Sequence, residues 1–333
     1  MSGLIGQFLL LAAVVAGAGI VLARAADAIA EATGLGRLLV GSIALAAATS
    51  LPELSVDIAA VRAGHTDLAA GDLLGSSLMN LLILAGVDLC RRNGQTMLSR
   101  EAASHALSAT LSIALTALAG CAVLSAGRIP GAEFLRVGGW SWAILVAYLL
   151  GARMLFMDQR FSARLAEARI HEVAARRSPL WASSAMFFGA AFVLLAAGPR
   201  LAEAADGLAD RTGLGGTFVG TTLVALTTSL PELVASLAAV RMGAPDLAIG
   251  NAFGSNAFNM ILFVPLDAFH QGPLFQAVSA THAVTAFAVV VATSIAVLGQ
   301  LYHVERRLPV LEPDALLVIL TIVAALVLVF YLS

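Results

Sequence analysis

The feature that most restricts how this chain can fold is a series of ten long apolar segments separated by short polar turns. A helix needs about 20 predominantly apolar residues to cross roughly 30 Å of hydrocarbon. With 59% hydrophobic and 12% charged residues, the chain has more apolar side chains than one water-facing domain could bury. The sequence therefore predicts an all-α integral membrane protein. The ten predicted transmembrane helices are 3 to 22, 37 to 62, 66 to 90, 100 to 125, 133 to 156, 180 to 199, 214 to 241, 245 to 270, 278 to 300 and 313 to 332.

The basic residues predict how these helices are oriented. All nineteen are arginine, and cytoplasmic loops of membrane proteins carry an excess of Lys and Arg. Placing the N-terminus outside assigns most of the arginines, including those of the longest loop, to the inner side. The alanine-rich, lysine-free composition is typical of a GC-rich prokaryotic genome, so we expect a prokaryotic plasma (inner) membrane. The net charge of −2 gives no reason to expect a nucleic-acid partner, and the sequence identifies no protein partner.

An internal repeat divides the chain into two halves. Residues 41–84 align without a gap onto 220–263, always 179 positions later, and 20 of these 44 positions are identical. Each half contains five predicted crossings, an odd number, so the second half must have the opposite orientation in the membrane. We therefore predict two inverted five-helix repeats, 1–156 and 180–333, joined by a short cytoplasmic connector, 157–179. Inverted repeats with matching interrupted helices are typical of secondary transporters that bind their substrate near the bilayer midplane.

One pair of matching segments has the sequence Thr-Ser-Leu-Pro-Glu-Leu, at 49–54 and again at 228–233. Proline has no N–H and clashes with the preceding turn, so Pro52 and Pro231 should kink their helices and free backbone carbonyls one turn earlier. Each segment also places a glutamate in apolar surroundings, where insertion of a charge costs roughly 2.5 to 3.5 kcal/mol on translocon scales. No structural role offsets that cost, which indicates a functional site.

A second pair of matching segments supplies further oxygen atoms. The sequence Gly-Asp-Leu-Leu-Gly-Ser-Ser-Leu-Met-Asn at 71–80 recurs as Gly-Asn-Ala-Phe-Gly-Ser-Asn-Ala-Phe-Asn at 250–259. In each copy the second, sixth and tenth residues are four apart and share one helix face. The four segments together offer carboxylates, amides, hydroxyls and freed carbonyls without convergent His or Cys. That set suits a hard cation such as calcium or sodium, and we expect no cofactor besides the transported ions.

At these motifs the sequence resembles the sodium/calcium exchanger family of the calcium:cation antiporter superfamily. Both repeats carry Ser-Leu-Pro-Glu followed by a segment of the Gly-Asn-x-x-Gly-Ser-Asn type, and in helix number the resemblance covers essentially the whole chain. It implies the exchanger fold, in which ten transmembrane helices form two inverted repeats. It also implies an ion site made by two glutamates, a polar residue after each Gly-Ser-Asn segment, and neighbouring hydroxyls. Carried over to this sequence, these residues are Glu53, Asn80, Glu232 and Asn259, with Thr49, Ser50, Ser76, Thr228, Ser229 and Ser255 around them.

The sequence departs from the family pattern in three places. Asn259 stands where sodium-coupled members often have Asp, whereas Asp72 and Ser77 stand where the family usually has Asn. A further acid, Asp57, follows Glu53 by one helical turn. We hypothesise that Asp72 or Asp57 restores the negative charge missing at Asn259, because each lies one turn from a residue implied to bind the ion. The alternative is that these acids are solvated in a vestibule, or are protonated and hydrogen-bonded.

These features predict a secondary antiporter that exchanges calcium for sodium by alternating access, with the first and sixth helices sliding against the rest. Two glutamates balance one calcium or two monovalent ions, and a third carboxylate would balance a third. The main alternative is a proton-coupled antiporter for calcium or another divalent cation, since titratable carboxylates are sufficient for it. The remote alternatives are a cation channel and a membrane-embedded hydrolase. We do not expect an enzyme, because no nucleophile beside a base and no metal dyad with His occurs at a suitable spacing.

Overall fold

The computed structural model describes residues 2–89, 105–125, 133–167, 179–212, 226–301 and 313–332, and these residues are almost entirely helical. In chain order the elements are α1 (Ser2–Thr33), α2 (Arg37–Leu39), a π-helix (Val40–Leu45), α3 (Ala46–Thr49), α4 (Leu51–Arg62), α5 (Thr66–Leu89), α6 (Ala106–Ser125), β1 (Glu133–Phe134), β2 (Val137–Gly138), α7 (Gly139–Glu167), α8 (Leu180–Thr212), α9 (Leu230–Arg241), α10 (Pro245–Phe269), α11 (Leu274–Ala277), α12 (His282–Leu301) and α13 (Pro313–Leu332).

Helices occupy all ten predicted transmembrane segments. Seven of the described helices are long and apolar enough to cross a membrane, and the bent helix from Arg37 to Arg62 meets the same criterion as an eighth. The helices α13 and α9 lie in the tenth and seventh predicted segments; the first part of the seventh, up to position 225, lies outside the described residues. Large apolar side chains such as Leu10, Phe188 and Leu320 are exposed on the outer helices, as expected where a protein surface contacts lipid. The fold is that of an all-α integral membrane protein.

The structure differs from the sequence-based expectation at several helix ends. The helices α1 and α8 continue to Thr33 and Thr212, well beyond the predicted ends at 22 and 199. Their extensions are rich in alanine, which has the highest helix propensity, so the helices continue past the most apolar stretch. The predicted fifth helix begins instead with the hairpin β1–β2, and its helical part, α7, runs to Glu167. That end lies within the segment predicted to connect the two halves.

The internal repeat is visible in the backbone. The helices α4 and α9 have the same length, and both their first and their last residues are 179 positions apart. The residue before each helix has nearly the same conformation: φ is −84° and ψ is 6° at Ser50, and φ is −83° and ψ is 4° at Ser229. The next helices, α5 and α10, begin at Thr66 and Pro245, again 179 apart. The two halves therefore build the same substructure, and the predicted pair of inverted repeats is confirmed.

The first helix of each repeat packs against the first helix of the other. The helices α1 and α8 contact each other along much of their length, and they also contact α9 and α4 respectively. Gly19 of α1 lies against Pro231 and Val234, while its repeat equivalent, Gly198 of α8, lies against Pro52. Each of these two glycines therefore brings its helix onto the Leu-Pro-Glu segment of the opposite repeat.

The π-helix crosses α10 with almost no side chain between the two backbones. A Cβ atom added at Gly41 would lie 2.6 Å from the carbonyl oxygen of Leu247, and one added at Gly250 would lie 2.7 Å from that of Leu38. A Cβ at Gly254 would overlap the backbone of Ser42. Small residues at such crossings let helices approach closely. This contact holds the first Thr-Ser-Leu-Pro-Glu-Leu segment against the Gly-Ser-Asn segment of the second repeat.

A buried carboxylate fastens one end of the bundle. Asp267, near the end of α10, is fully buried and accepts hydrogen bonds from Gly138 N at 2.8 Å, Ser141 Oγ at 2.5 Å and Leu274 N at 2.7 Å. Gly138 precedes α7, and Leu274 is the first residue of α11. One side chain thereby satisfies orphan N–H groups at the starts of two helices, where a negative charge is also favoured by the helix dipole.

Candidate ion-binding site

Each repeat contributes a broken helix that presents a glutamate. The helix in the first repeat bends by 42° between its parts Arg37–Thr49 and Leu51–Arg62. Proline at position 52 has no N–H, so the carbonyl of Ala48 loses its usual helical donor, as predicted. Glu53 and Glu232 lie in the first turns of α4 and α9. An unsatisfied helix N-terminus favours negative charge, which explains why this is a tolerable place for a buried carboxylate.

All the predicted site residues are buried in the middle of the bundle. None is more than 8% exposed, and the two glutamates are at most 1% exposed. The buried set comprises Thr49, Ser50, Glu53, Asp57, Asp72, Ser76, Asn80, Thr228, Ser229, Glu232, Ser255 and Asn259.

Hydroxyl groups connect the two repeats across this site. Ser50 Oγ donates to Glu232 Oε1 at 3.4 Å, and Thr228 Oγ1 donates to Asp72 Oδ1 at 3.4 Å. Ser229 Oγ lies 3.4 Å from Ser76 Oγ. These separations are long for O–H···O hydrogen bonds, which are usually 2.7 to 2.8 Å. The hydroxyl oxygens are therefore near one another but only weakly engaged.

The two asparagines that the resemblance implies as ligands are held by their amide nitrogens. Asn80 Nδ2 donates to Asn256 Oδ1 at 3.0 Å, and Asn259 Nδ2 donates to the carbonyl of Leu73 at 3.3 Å. With the nitrogens oriented toward protein acceptors, the amide oxygens Oδ1 of both residues receive no hydrogen bond from the described part of the chain. The structure thus brings both asparagines to the site, but neither bonds directly to another predicted ligand among the described residues.

Several buried carboxylate oxygens likewise have no protein donor. Within the described ranges, both oxygens of Glu53 and Oε2 of Glu232 lack a hydrogen-bond partner, and none of the ion pairs found there includes a site carboxylate. Glu53 is close enough to Glu232, Asp72 and Asp57 for their charges to repel. Buried charges are costly unless they are paired or coordinate a metal ion. Either bound cations or protons can neutralise such a cluster of carboxyl groups.

Two asparagines of this network, Asn251 and Asn256, were not among the predicted ligands. Asn251 accepts from Thr49 Oγ1 at 3.4 Å and donates to Ser236 Oγ at 3.5 Å. Asn256 donates to the carbonyl of Ser77 at 3.1 Å and accepts from Asn80. The signal for Asn251 and Asn256 was present in the sequence, because both belong to the second repeated motif, but their partners lie in other segments and could not be read locally.

Comparisons with known proteins identify the family of this chain. The model of the family described as sodium/calcium exchanger protein matches residues 3–158 and 182–332. The chain belongs to the sodium/calcium exchanger family. It is therefore a multi-pass membrane protein of a family of antiporters.

Individual relatives of this exchanger support the same placement. The putative antiporter CaxA of Alkalimonas amylolytica is 28% identical over 236 residues, covering 71% of each chain. The inner membrane protein YrbG of Escherichia coli K12 is 28% identical over 250 residues, covering 73% of each chain. The sodium/calcium exchanger MaX1 of Methanosarcina acetivorans is 48% identical over 59 residues, which is 18% of this chain and 17% of MaX1.

Among solved structures, the sodium-calcium exchanger NCX_Mj soaked with 10 mM Na⁺ and zero Ca²⁺ has the same fold. The TM-score is 0.70 at 19% sequence identity, covering 98% of this chain and 99% of NCX_Mj. This similarity extends over both repeats and confirms the predicted fold class.

Proposed function

We propose that this exchanger carries calcium in one direction and sodium in the other across the plasma membrane. The observation that carries the proposal is the convergence of Glu53 and Glu232, one from each repeat, at helix breaks inside the bundle, where three of their four carboxylate oxygens receive no hydrogen bond from the described residues. The inner membrane protein of Escherichia coli among its relatives supports a plasma-membrane location.

The oxygen atoms around the two glutamates suit calcium. Calcium takes six to eight oxygen ligands from carboxylates, carbonyls and amides. The site offers the two glutamates, the amide oxygens of Asn80 and Asn259, and hydroxyls that are only weakly engaged. Two carboxylates balance either one calcium or two sodium ions, so the ions compete for the same charge. This competition is the basis of exchange.

Alternating access follows from the inverted repeat. Two halves of the same fold, inverted relative to each other, give the chain two mirror-related arrangements of similar energy, one open to each side. We propose that α1 and α8 slide across the rest of the bundle to convert one into the other. Their mutual contact and the glycines that face Pro231 and Pro52 are consistent with a moving pair.

Calcium uptake into proteoliposomes tests the coupling ion directly. Vesicles loaded with sodium are compared with matched vesicles that carry only a pH gradient. We expect uptake driven by the sodium gradient. Uptake driven by the pH gradient alone would instead identify a proton-coupled calcium antiporter, and calcium flux without any counter-ion would identify a channel.

Substitution of the glutamates tests the site. We expect Glu53→Gln and Glu232→Gln each to abolish exchange, because each removes one of the two charges that balance calcium and keeps the side-chain shape. Glu133→Gln makes the same chemical change in the exposed hairpin and should exchange at the wild-type rate. Size-exclusion chromatography of all three variants verifies that they are folded. Robust exchange by either site variant would refute the assignment of the site.

A further inference from the structure

Two positions beside the proposed calcium site differ in charge between the repeats. Asp57 and Asp72 of the first repeat correspond, at the offset of 179, to Ser236 and Asn251 of the second. In the second repeat these neutral residues complement each other: Asn251 Nδ2 donates to Ser236 Oγ at 3.5 Å. We call the position of this residue pair in each repeat the corner. In the second repeat, the corner formed by Ser236 and Asn251 has a hydrogen-bond donor facing an acceptor and carries no charge.

In the first repeat the same corner holds two acceptors. The carboxyl group of Asp57 faces that of Asp72 within hydrogen-bonding reach. Neither oxygen of Asp57, nor Oδ2 of Asp72, receives a hydrogen bond from the described residues. Asp57 is 1% exposed and Asp72 is 8% exposed, so both carboxyl groups are shielded from bulk solvent. Two carboxyl groups in this arrangement repel each other if both are ionised, so a cation or a shared proton has to lie between them.

The remaining contact of Asp72 reproduces the symmetry of the site. Thr228 Oγ1 donates to Asp72 Oδ1 at 3.4 Å, and its repeat equivalent, Thr49 Oγ1, donates to Asn251 Oδ1 at 3.4 Å. The two corners are therefore built alike and differ in the two negative charges.

We propose that Asp57 and Asp72 form a second cation subsite, separate from Glu53 and Glu232, that binds a sodium ion during transport. The proposal rests on the proposed exchange of calcium for sodium. Asp57 lies one turn beyond Glu53 in α4, and Asp72 lies in the second turn of α5. The subsite is thus displaced from the glutamates toward the turn between α4 and α5, and only the first repeat has it.

The ligands at this corner favour sodium over calcium. The two carboxylates and the Thr228 hydroxyl give about five protein oxygens, fewer than the six to eight that calcium takes. They include no nitrogen or sulfur, which a softer metal would prefer. A sodium ion bound here adds to the ions that replace calcium at the two glutamates. The subsite therefore raises the number of sodium ions exchanged per calcium by one.

The repeat itself supplies the test variant. Asp57→Ser combined with Asp72→Asn converts this corner into the neutral pair found in the second repeat, whose packing the fold already accommodates. We expect the double variant to bind one sodium ion fewer per protein by equilibrium binding of radioactive sodium in detergent. In proteoliposomes its Hill coefficient for sodium should fall by about one, and the membrane voltage at which net calcium flux vanishes should shift accordingly. Sodium-driven calcium uptake should persist.

Two further variants keep the result interpretable. Asp57→Asn combined with Asp72→Asn removes the same charges with nearly the original shape, in case the first variant does not fold. Asp206→Asn, at an exposed position of α8, removes one carboxylate outside the site and should leave sodium binding unchanged.

Three outcomes would overturn the subsite. These are an unchanged number of bound sodium ions, a loss of one bound calcium instead of sodium, and a change in the pH dependence of exchange with no change in bound cations. The sodium count does not require exchange. An absence of sodium-driven uptake in the wild type therefore refutes the proposed function and leaves the test of the subsite intact.

Discussion

Replacement of Gly198 by alanine tests whether α8 has to move past the first Leu-Pro-Glu segment. A Cβ atom at position 198 would overlap Cβ of Pro52 and lie 2.8 Å from its Cγ. The proline ring cannot rotate away, because it is bonded to the backbone. Overpacking of this kind costs about 1 to 3 kcal/mol. The gain in helix propensity of about 1 kcal/mol keeps Gly198→Ala folded, so the clash should appear chiefly in the rate of exchange.

The expected slowing follows from the same clash. If the extra methyl group raises the barrier to sliding by about 1 to 3 kcal/mol, exchange slows about 5- to 150-fold. The repeat provides a matched control in Gly19→Ala. There the Cβ would lie 3.3 Å from Cγ1 of Val234 and 3.4 Å from the carbonyl oxygen of Pro231, and the valine side chain can adjust. We expect Gly19→Ala to slow exchange by less than about threefold.

The assay is the initial rate of sodium-driven calcium uptake at saturating calcium, normalised to the amount of folded protein by size-exclusion chromatography. Equal rates for Gly198→Ala and the wild type would refute the idea that α8 slides past Pro52. Equal slowing by both glycine variants would contradict the steric explanation, because the two contacts differ in the rigidity of the opposing side chain.

Two predictions concern the contacts that hold the site in place. Gly254→Ala should prevent close packing of α10 on the π-helix, because the added Cβ overlaps the Ser42 backbone. We expect it to destabilise the protein by at least about 1 to 3 kcal/mol and to lower its unfolding temperature in detergent. Gly189→Ala, at an exposed position of α8 where the added Cβ meets no described atom within 4 Å, should not lower it. Asp267→Ala leaves two backbone N–H groups and the Ser141 hydroxyl without an acceptor. Each buried group left unpaired lowers the free energy of unfolding by about 1 to 3 kcal/mol, so we expect a large fall in unfolding temperature. An unchanged unfolding temperature would show that water replaces the carboxylate.

The sequence was sufficient to predict the parts of the fold that depend on local chemistry. Proline at position 52, in the middle of an apolar segment, predicts a break, and the bend of 42° lies there. The constant offset of 179 predicts two copies of one substructure, and the identical lengths of α4 and α9 confirm this. Helix ends were less predictable, because the alanine-rich ends of α1 and α8 remain helical beyond the point where the hydrophobic pattern stops.

Other features depend on contacts between distant segments and left no local pattern. The π-helix at Val40–Leu45 lies where the α10 backbone approaches most closely, and the sequence of this segment does not predict its wider turn. The hairpin at the start of α7 turns at Leu135 and Arg136, which have positive φ values of 54° and 64° without glycine. The Trp142 indole N–H donates to the carbonyl of Phe134 at 3.0 Å and holds this turn.

The candidate site was predicted as a set of residues but not as a network. Every proposed ligand is buried at the helix breaks, yet the pairing of Thr228 with Asp72 joins positions 156 apart in the chain. Asp57 and Asp72 were singled out as departures from the family pattern. Their mutual contact could be seen only after the fold had placed α4 beside α5.

The contact between Ser77 and Asn256 has a consequence for how such a protein evolves. These residues occupy the same place in the two repeats, and they touch, since Asn256 Nδ2 donates to the carbonyl of Ser77. In a symmetric dimer of half-length chains, this residue would face its own copy, and every substitution would occur twice in one site. Fusion of the two halves removes that restriction: Ser77 bonds the carbonyl of Leu73 while Asn256 bridges to Asn80. A gene that encodes both halves can therefore alter the charge of the ion pathway by one unit at a time, whereas an unfused ancestor could change it only in steps of two.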